Sequence, residues 1–254
     1  MRWLRLWIVA LLFSGVPIAG ADKAVRLASG EWPPFQSAQL KYGGLATRII
    51  TEAFALNGIQ VEYGYFPWKR SYSYAEAGDW DGTFVWFALP ERRAQFYISD
   101  PVVDTKYVFF HLKNTKFDWS TLESLQDTKI GLLAGASMGD DFQRAEQDGV
   151  LQVEYSNNEE SGFRKLLTKR VDVILCDVEV GYYVIQNMFT PQQAALFTHH
   201  PQPFKVEPQN LLLSKKVDRN KQLIELFNKG LRQLKASGKY ERFFLESRRE
   251  KSTP

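Results

Sequence analysis

The chain alternates short apolar runs with amphipathic stretches in the order strand, helix, strand, helix, strand, and it does so twice. Residues 25–28 form a first apolar run that enters Ser29-Gly30-Glu31-Trp32-Pro33-Pro34-Phe35, a loop whose paired prolines forbid a helix. After Gly43-Gly44, the positions Leu45, Ile49, Ile50, Ala53 and Phe54 follow helical spacing until Asn57-Gly58 supplies a stop. Residues 59–65 alternate like a strand, 68–77 predict a short helix ended by Gly78, and 81–87 predict a third strand. An extended apolar segment at 107–112 follows, and the rhythm restarts. Strands are predicted at 129–134, 150–155 and 171–176, with helices through Phe142 and Ala145, over 159–167 and over 178–188. A strand at 211–214 and helices at 220–234 and 240–247 complete the chain.

Strands separated by helices build a parallel sheet, so the pattern predicts an α/β protein made of two units of similar size. The closing strand and helices are surplus to the second unit, and the economical arrangement returns them to the first. Two extended segments, near 107–112 and 202–209, then cross between lobes. The expected division is a leader at 1–21, a first lobe from 22–110 and 206–254, and a second lobe from 111–205. Ligands of open α/β sheets bind beyond the carboxyl ends of the strands. Those ends carry Trp32, Trp68, Trp86, Arg92, Ser137 and Asp177, which a cleft between lobes would gather.

The first residues assign a compartment. A basic start with Arg2 and Arg5, an apolar run at 6–18 and the small residues Ala19-Gly20-Ala21 follow the plan of a cleaved secretory signal peptide. The run is too short for the roughly 20 residues of a membrane-spanning helix. Removing 1–21 takes away those two arginines and no acid, so the formal charge falls from +3 to +1. A chain this close to neutral shows no basic face of the kind that binds nucleic acid. The single cysteine, Cys176, excludes an internal disulfide and sits in an apolar run, where a small buried hydrophobe is expected. His111, His199 and His200 have no companions at metal-ligand spacing, so neither a metal nor a cofactor is expected.

Residues 81–101 hold the densest signal. A short apolar strand ends in Leu89-Pro90-Glu91-Arg92, and a second apolar run ends in Ser99-Asp100-Pro101. An arginine beside an aromatic strand end has the planar fork of donors that clamps a carboxylate, or it solvates the start of a helix. Asp177, at the end of its strand, either faces a ligand or caps the helix that starts at Val178, and the two roles are compatible. Ser137 has the same two options beside Gly139. Trp32, Trp68, Trp86 and Phe87 are candidates for a ligand-facing wall, the alternative being packing within their own lobe. Lys69-Arg70 is expected to be a solvated helix start, and the charged run from Arg248 to Lys251 a disordered end.

Four segments resemble the polar amino acid type of periplasmic solute-binding protein, extracellular solute-binding protein family 3. Trp32-Pro33-Pro34-Phe35 is similar to the family's first-strand loop. Leu89-Pro90-Glu91-Arg92 through Ser99-Asp100-Pro101 is similar to its Thr-Pro-Glu-Arg…Phe-Ser-Asp-Pro signature. Gly131-Leu132-Leu133-Ala134-Gly135-Ala136-Ser137 resembles the strand and turn opening its second lobe, and residues 170–177 resemble its hydrophobic strand ending in Asp. The resemblance implies a two-lobed periplasmic-binding-protein-like fold of type II with two crossing segments at the hinge. It implies a monomer in the periplasm that captures an amino acid or related carboxylate and passes it to an inner-membrane ABC permease.

By the same resemblance Arg92 holds the ligand carboxylate, Asp177 the ammonium, Ser137 adds a donor from the second lobe, and Trp32 and Trp68 flank the side chain. Trp86-Phe87-Ala88-Leu89 departs from the family's Ser/Thr-rich loop, which favours a bulkier or ring-stacking carboxylate. Two alternatives stand beside transport. One is a lyase or dehydratase on the same fold, with Glu31 or Asp177 as the acid it would need. The other is delivery of ligand to a membrane sensor. Binding without chemistry is the expectation.

Overall fold

The computed structural model describes residues 24–136 and 138–249. The leader expected at 1–21 and the candidate Ser137 lie outside the described residues.

The first unit consists of β1 (Val25–Ser29), α1 (Leu45–Ala55), β2 (Val61–Tyr65), α2 (Trp68–Ala77) and β3 (Gly82–Trp86). β1 pairs in parallel with β2 on one side and β3 on the other. Ile49, Ile50, Ala53 and Phe54, on the predicted stripe of α1, are all fully buried. The first amides of α1 find acceptors in the loop before it: Leu45 donates to the Pro34 carbonyl at 2.9 Å and Ala46 to the Phe35 carbonyl at 2.8 Å. The otherwise orphaned donors of a helix start thus fix the Trp32 loop. α2 ends at Gly78, whose φ of 84° is the left-handed cap that glycine adopts without strain.

The chain continues through α3 (Arg92–Gln95), β4 (Phe96–Ile98) and the long β5 (Val103–Leu112). The second unit repeats the first with β6 (Lys129–Leu133), α4 (Asp140–Gln147), β7 (Gln152–Ser156), α5 (Glu159–Leu167), β8 (Val173–Asp177) and α6 (Val178–Met188). After α7 (Pro191–Ala194) and β9 (Phe197–His199) come β10 (Lys205–Ser214), α8 (Asn220–Ala236) and α9 (Lys239–Arg249).

The strand order β2-β1-β3-β10-β5-β8-β6-β7 explains how the units join. Each has three parallel strands and then one antiparallel strand borrowed from the crossing pair. Residues 210–213 of β10 pair with β3, and 212–214 also pair with β4. Residues 205–209 of β10 pair instead with 103–107 of β5, whose continuation, 107–110, pairs with β8. The two crossing segments are therefore one antiparallel ribbon. It begins four residues before the extended segment predicted at 107–112, and β10 is longer than the strand predicted at 211–214. The added residues 205–209 fall within the extended crossing segment expected near 202–209 and include Pro208. The ribbon accepts it because residues 205–209 have a ladder partner on one side only, so the missing N–H costs no ladder bond.

The tail packs on the first unit. α8 packs on α1, with the Phe54 and Phe227 rings 5.0 Å apart and both fully buried, a pair whose truncation costs about 3–5 kcal/mol per ring. Gly230 permits this approach, since a Cβ there would stand 1.9 Å from the Ala53 carbonyl oxygen. The disordered end expected from Arg248 needs correction: Arg248 belongs to α9, and its guanidinium bonds both carboxylate oxygens of Glu179 on α6. Cys176 is buried and free, and burial pushes its thiol well above the ordinary range.

Candidate functional site

In front of the crossing ribbon, between the two units, lies a cavity of about 780 Å³, within the range that holds small ligands. Its floor is Tyr107 of β5 and Gln209 of β10. Gln209 is held by its bond to the Thr105 hydroxyl at 3.1 Å, while Thr105 donates to the Glu207 carbonyl at 3.0 Å. Burial, and then the charge of Asp177, push the Tyr107 phenol up, so its hydroxyl stays protonated.

The wall from the first unit contains Trp32, Trp68, Trp86, Phe87 and Arg92. Trp68 is the first residue of α2, and its ring lies against the backbone of Gly30, where a Cβ would stand 2.3 Å from it. Trp68 meets Trp86 edge to face at 5.3 Å, and Trp86 meets Tyr72 at 5.2 Å. Trp86 also donates from Nε1 to the Thr83 hydroxyl at 2.8 Å. The Arg92 guanidinium sits over the Trp86 ring at 4.9 Å and the Tyr72 ring at 5.7 Å, and it donates from Nη1 to the Phe87 carbonyl at 2.7 Å. Each such cation–ring contact is worth about 0.5–1 kcal/mol at an exposed site. Arg92 makes no ion pair among the described residues. It is an oriented cation with donors to spare.

A β-bulge aims this wall. Leu211 lies opposite Phe84 and Asn210 opposite Trp86, so Val85 is an extra residue in β3. Its φ of 62° is a left-handed conformation that a β-branched residue adopts at a cost of about 1–3 kcal/mol. Bulges of this kind turn the following side chain, here Trp86, to a new direction.

The opposite wall comes from the turn after β6, the start of α5 and one side of α6. Ala134, Gly135 and Ala136 bring backbone close to the cavity, with Gly135 at φ 85°. Asn158 caps α5 by accepting from the Ser161 amide at 2.8 Å, and the first-turn residues Glu159 and Glu160 line the cavity. Glu160 is paired with Arg164 at 2.6 Å, whereas Glu159 makes no ion pair or hydrogen bond among the described residues.

Six of the seven candidates can therefore be located, and five of them line one cavity: Arg92, Trp32, Trp68, Trp86 and Phe87. Asp177 does not join them. It is 1% exposed, accepts from the Glu179 and Val180 amides at 2.9 and 3.1 Å through Oδ1, and accepts from the Lys106 amide at 2.8 Å through Oδ2. It is the cap of α6 and a tether to the ribbon, with both oxygens engaged. Burial pushes its carboxyl up to about 7, against the opposing pull of those backbone donors. Glu159, Tyr107 and Gln209 are absent from the sequence-based candidates. Glu159 follows the carboxyl end of β7, so the strand-end rule that selected the others also points to it.

The residues 25–246 match the model of the bacterial extracellular solute-binding proteins, family 3. An ancestral arginine-binding protein bound to arginine is similar over 88% of this chain and 97% of its own, with 22% identity and a TM-score of 0.62. Substrate-binding domain 2 of Lactococcus lactis GlnP, in its open conformation, is similar over 86% of this chain and 91% of its own, at 18% identity and a TM-score of 0.68. The substrate-binding protein of an amino acid ABC transporter covers 89% of this chain and 99% of its own, at 19% identity and a TM-score of 0.60. No curated protein sequence matches the chain.

Proposed function

The chain belongs to the bacterial extracellular solute-binding proteins of family 3, and from that premise we propose that it captures an amino acid, or a related carboxylate carrying a cationic group, in the cleft before the ribbon. The observation that carries this reading is the pairing of two charges across the cavity that have no ion-pair partner among the described residues: Arg92, laid on an aromatic platform, and Glu159 on the opposite wall. Arg92 takes the carboxylate, because guanidinium bonds to a carboxylate are charge-assisted and geometrically matched. The ammonium goes to Glu159 rather than to Asp177, whose oxygens are committed to backbone amides. Trp32 and Trp68 flank the remainder of the ligand. Ser137 remains a candidate donor beside Ala136.

The lining carries Glu31, Glu159 and Glu160 against Arg92, which favours a ligand whose side chain is itself cationic. Acids and the arginine on opposing walls make closure depend on the ligand that joins them. The lobes so joined are 22–110 with 206–254, and 111–205, turning about the ribbon. In this reading residues 1–21 direct export to the periplasm, the mature chain acts as a monomer, and an inner-membrane ABC permease receives the ligand. The family and the amino acid ABC transporter relative support this direction. A thermal-shift screen of the amino acids and of small carboxylates tests the reading. A rise in Tm with at least one amino acid is expected; no rise with any of them contradicts it.

A further inference from the structure

The crossing ribbon has a second face. Side chains alternate along a strand, so Tyr107 and Gln209 enter the cleft while Lys106, Val108 and Val206 point to the reverse. A second cavity, of about 620 Å³, lies there. Its other polar lining comes from Tyr182 and Gln186 on α6, His199 on β9 and Arg248 on α9.

Charge separates this cavity from the cleft. Among the described residues no carboxylate lines it, and Lys106, Arg248 and His199 do. The ammonium of Lys106 is exposed and makes no ion pair or hydrogen bond among the described residues. Arg248 spends Nε and Nη2 on Glu179, which leaves Nη1 uncommitted. The His199 Nδ1 stands 2.7 Å from the Tyr182 hydroxyl, which fixes the ring against α6. Burial, followed by the charge of Arg248, holds the His199 imidazole below its ordinary range, so it enters as a neutral hydrogen-bonding ring. Glu179, which is bonded to this group, is 8% exposed and consumed by Arg248.

We propose that the reverse face of the ribbon is a second binding site, for a small oxyanion of the carboxylate or phosphate kind, held by Lys106, Arg248 and His199. An ammonium, part of a guanidinium and an imidazole from separate elements converge on one cavity, and such donors bind oxyanions through charge-assisted bonds. The Arg48–Glu246 pair at 2.7 Å ties α9 to α1, and the Arg248–Glu179 pair ties it to α6, which holds the Arg248 guanidinium beside Tyr182 and His199.

Titration calorimetry of the full chain with inorganic phosphate and with citrate, at physiological ionic strength, tests the site and tells the two sources of oxyanion apart. The expected result is saturable binding of at least one probe, weakened about tenfold or more in Lys106→Gln, where one charge-assisted contact is lost, and unchanged in Arg92→Ala. Lys106→Gln removes an exposed, unpartnered side chain, and a thermal melt establishes that it folds. A His199→Gln variant should weaken the same probe. Absence of binding by both probes overturns the proposal, as does binding that survives Lys106→Gln or that is lost in Arg92→Ala.

Discussion

On the cleft side of the crossing ribbon, Tyr107 and Gln209 share a cavity with Glu31, Glu159, Glu160 and a single arginine; on the reverse side, Lys106 shares one with Arg248 and His199. Neighbouring residues of one strand thus serve surroundings of opposite charge. The difference arises from the period of two along a strand and from what each face meets. The cleft face meets the carboxyl ends of the parallel strands and the acidic start of α5, while the reverse face meets the basic end of α9. A crossing ribbon can therefore carry two ligand chemistries without either competing for the other's side chains.

The largest break in this comparison should come from Arg92→Ala. Removing the cation leaves a carboxylate ligand without its partner, a loss of about 2–5 kcal/mol, or tens to thousands of fold in Kd by calorimetry, with the reverse face unaffected. Glu159→Gln should come next, weakening a zwitterion about tenfold while sparing an analogue that lacks the ammonium. Asp177→Asn, by contrast, should leave the ligand's ammonium contact intact, which separates Glu159 from Asp177 as its acceptor.

A smaller effect is expected from Gly30→Ala, because a Cβ 2.3 Å from the Trp68 ring must push that ring from the wall. Titrations should show a severalfold loss of affinity (below about 1.4 kcal/mol), and Trp68 fluorescence should shift. The smallest concerns stability alone. Burial raises the Asp177 carboxyl to about 7 from 3.8, so the native state holds that proton more tightly than the unfolded state. The stabilisation is complete below the unfolded value and is lost as pH rises through about 7. Asn keeps the cap of α6 through its Oδ1 while giving up the Lys106 amide bond, a loss that does not vary with pH. Melts of Asp177→Asn should accordingly lack the part of the wild-type decline that falls between about pH 4 and pH 7.

Much of the fold is legible in the residues. The helices at 159–167 and 178–188 coincide with α5 and α6 because Asn158 and Asp177 supply caps and the apolar spacing is regular. The return of the tail follows from a surplus strand and amphipathic helices. β10 is only half legible: 211–214 reads as a strand and 202–209 as an extended crossing segment, but the β5 partner that joins them into one strand lies about a hundred positions away. The bulge at Val85 has no local signal, since a left-handed turn calls for glycine or asparagine and the sequence offers valine.

In the candidate site, residue type and strand-end position single out Arg92 and the tryptophans, which line the cavity. Asp177 shows the limit of that rule. A strand-end acid can face out or turn back, and the approach of the Lys106 amide from another strand decides between them. Glu159 looks like an ordinary first-turn acid favoured by the helix dipole, and its exposure to the cavity depends on the second lobe's placement. Arg248 looks like part of a charged tail until Glu179 is found beside it.

The central claim is that Arg92 receives a carboxylate, and calorimetry with the amino acid giving the largest thermal shift, set against its carboxamide, tests it most directly. In the wild-type protein the carboxamide, having no negative charge for the guanidinium, should bind about a hundredfold more weakly, near 2.7 kcal/mol, and in Arg92→Ala the two should bind alike. Equal affinity of acid and carboxamide for the wild-type protein would contradict the account.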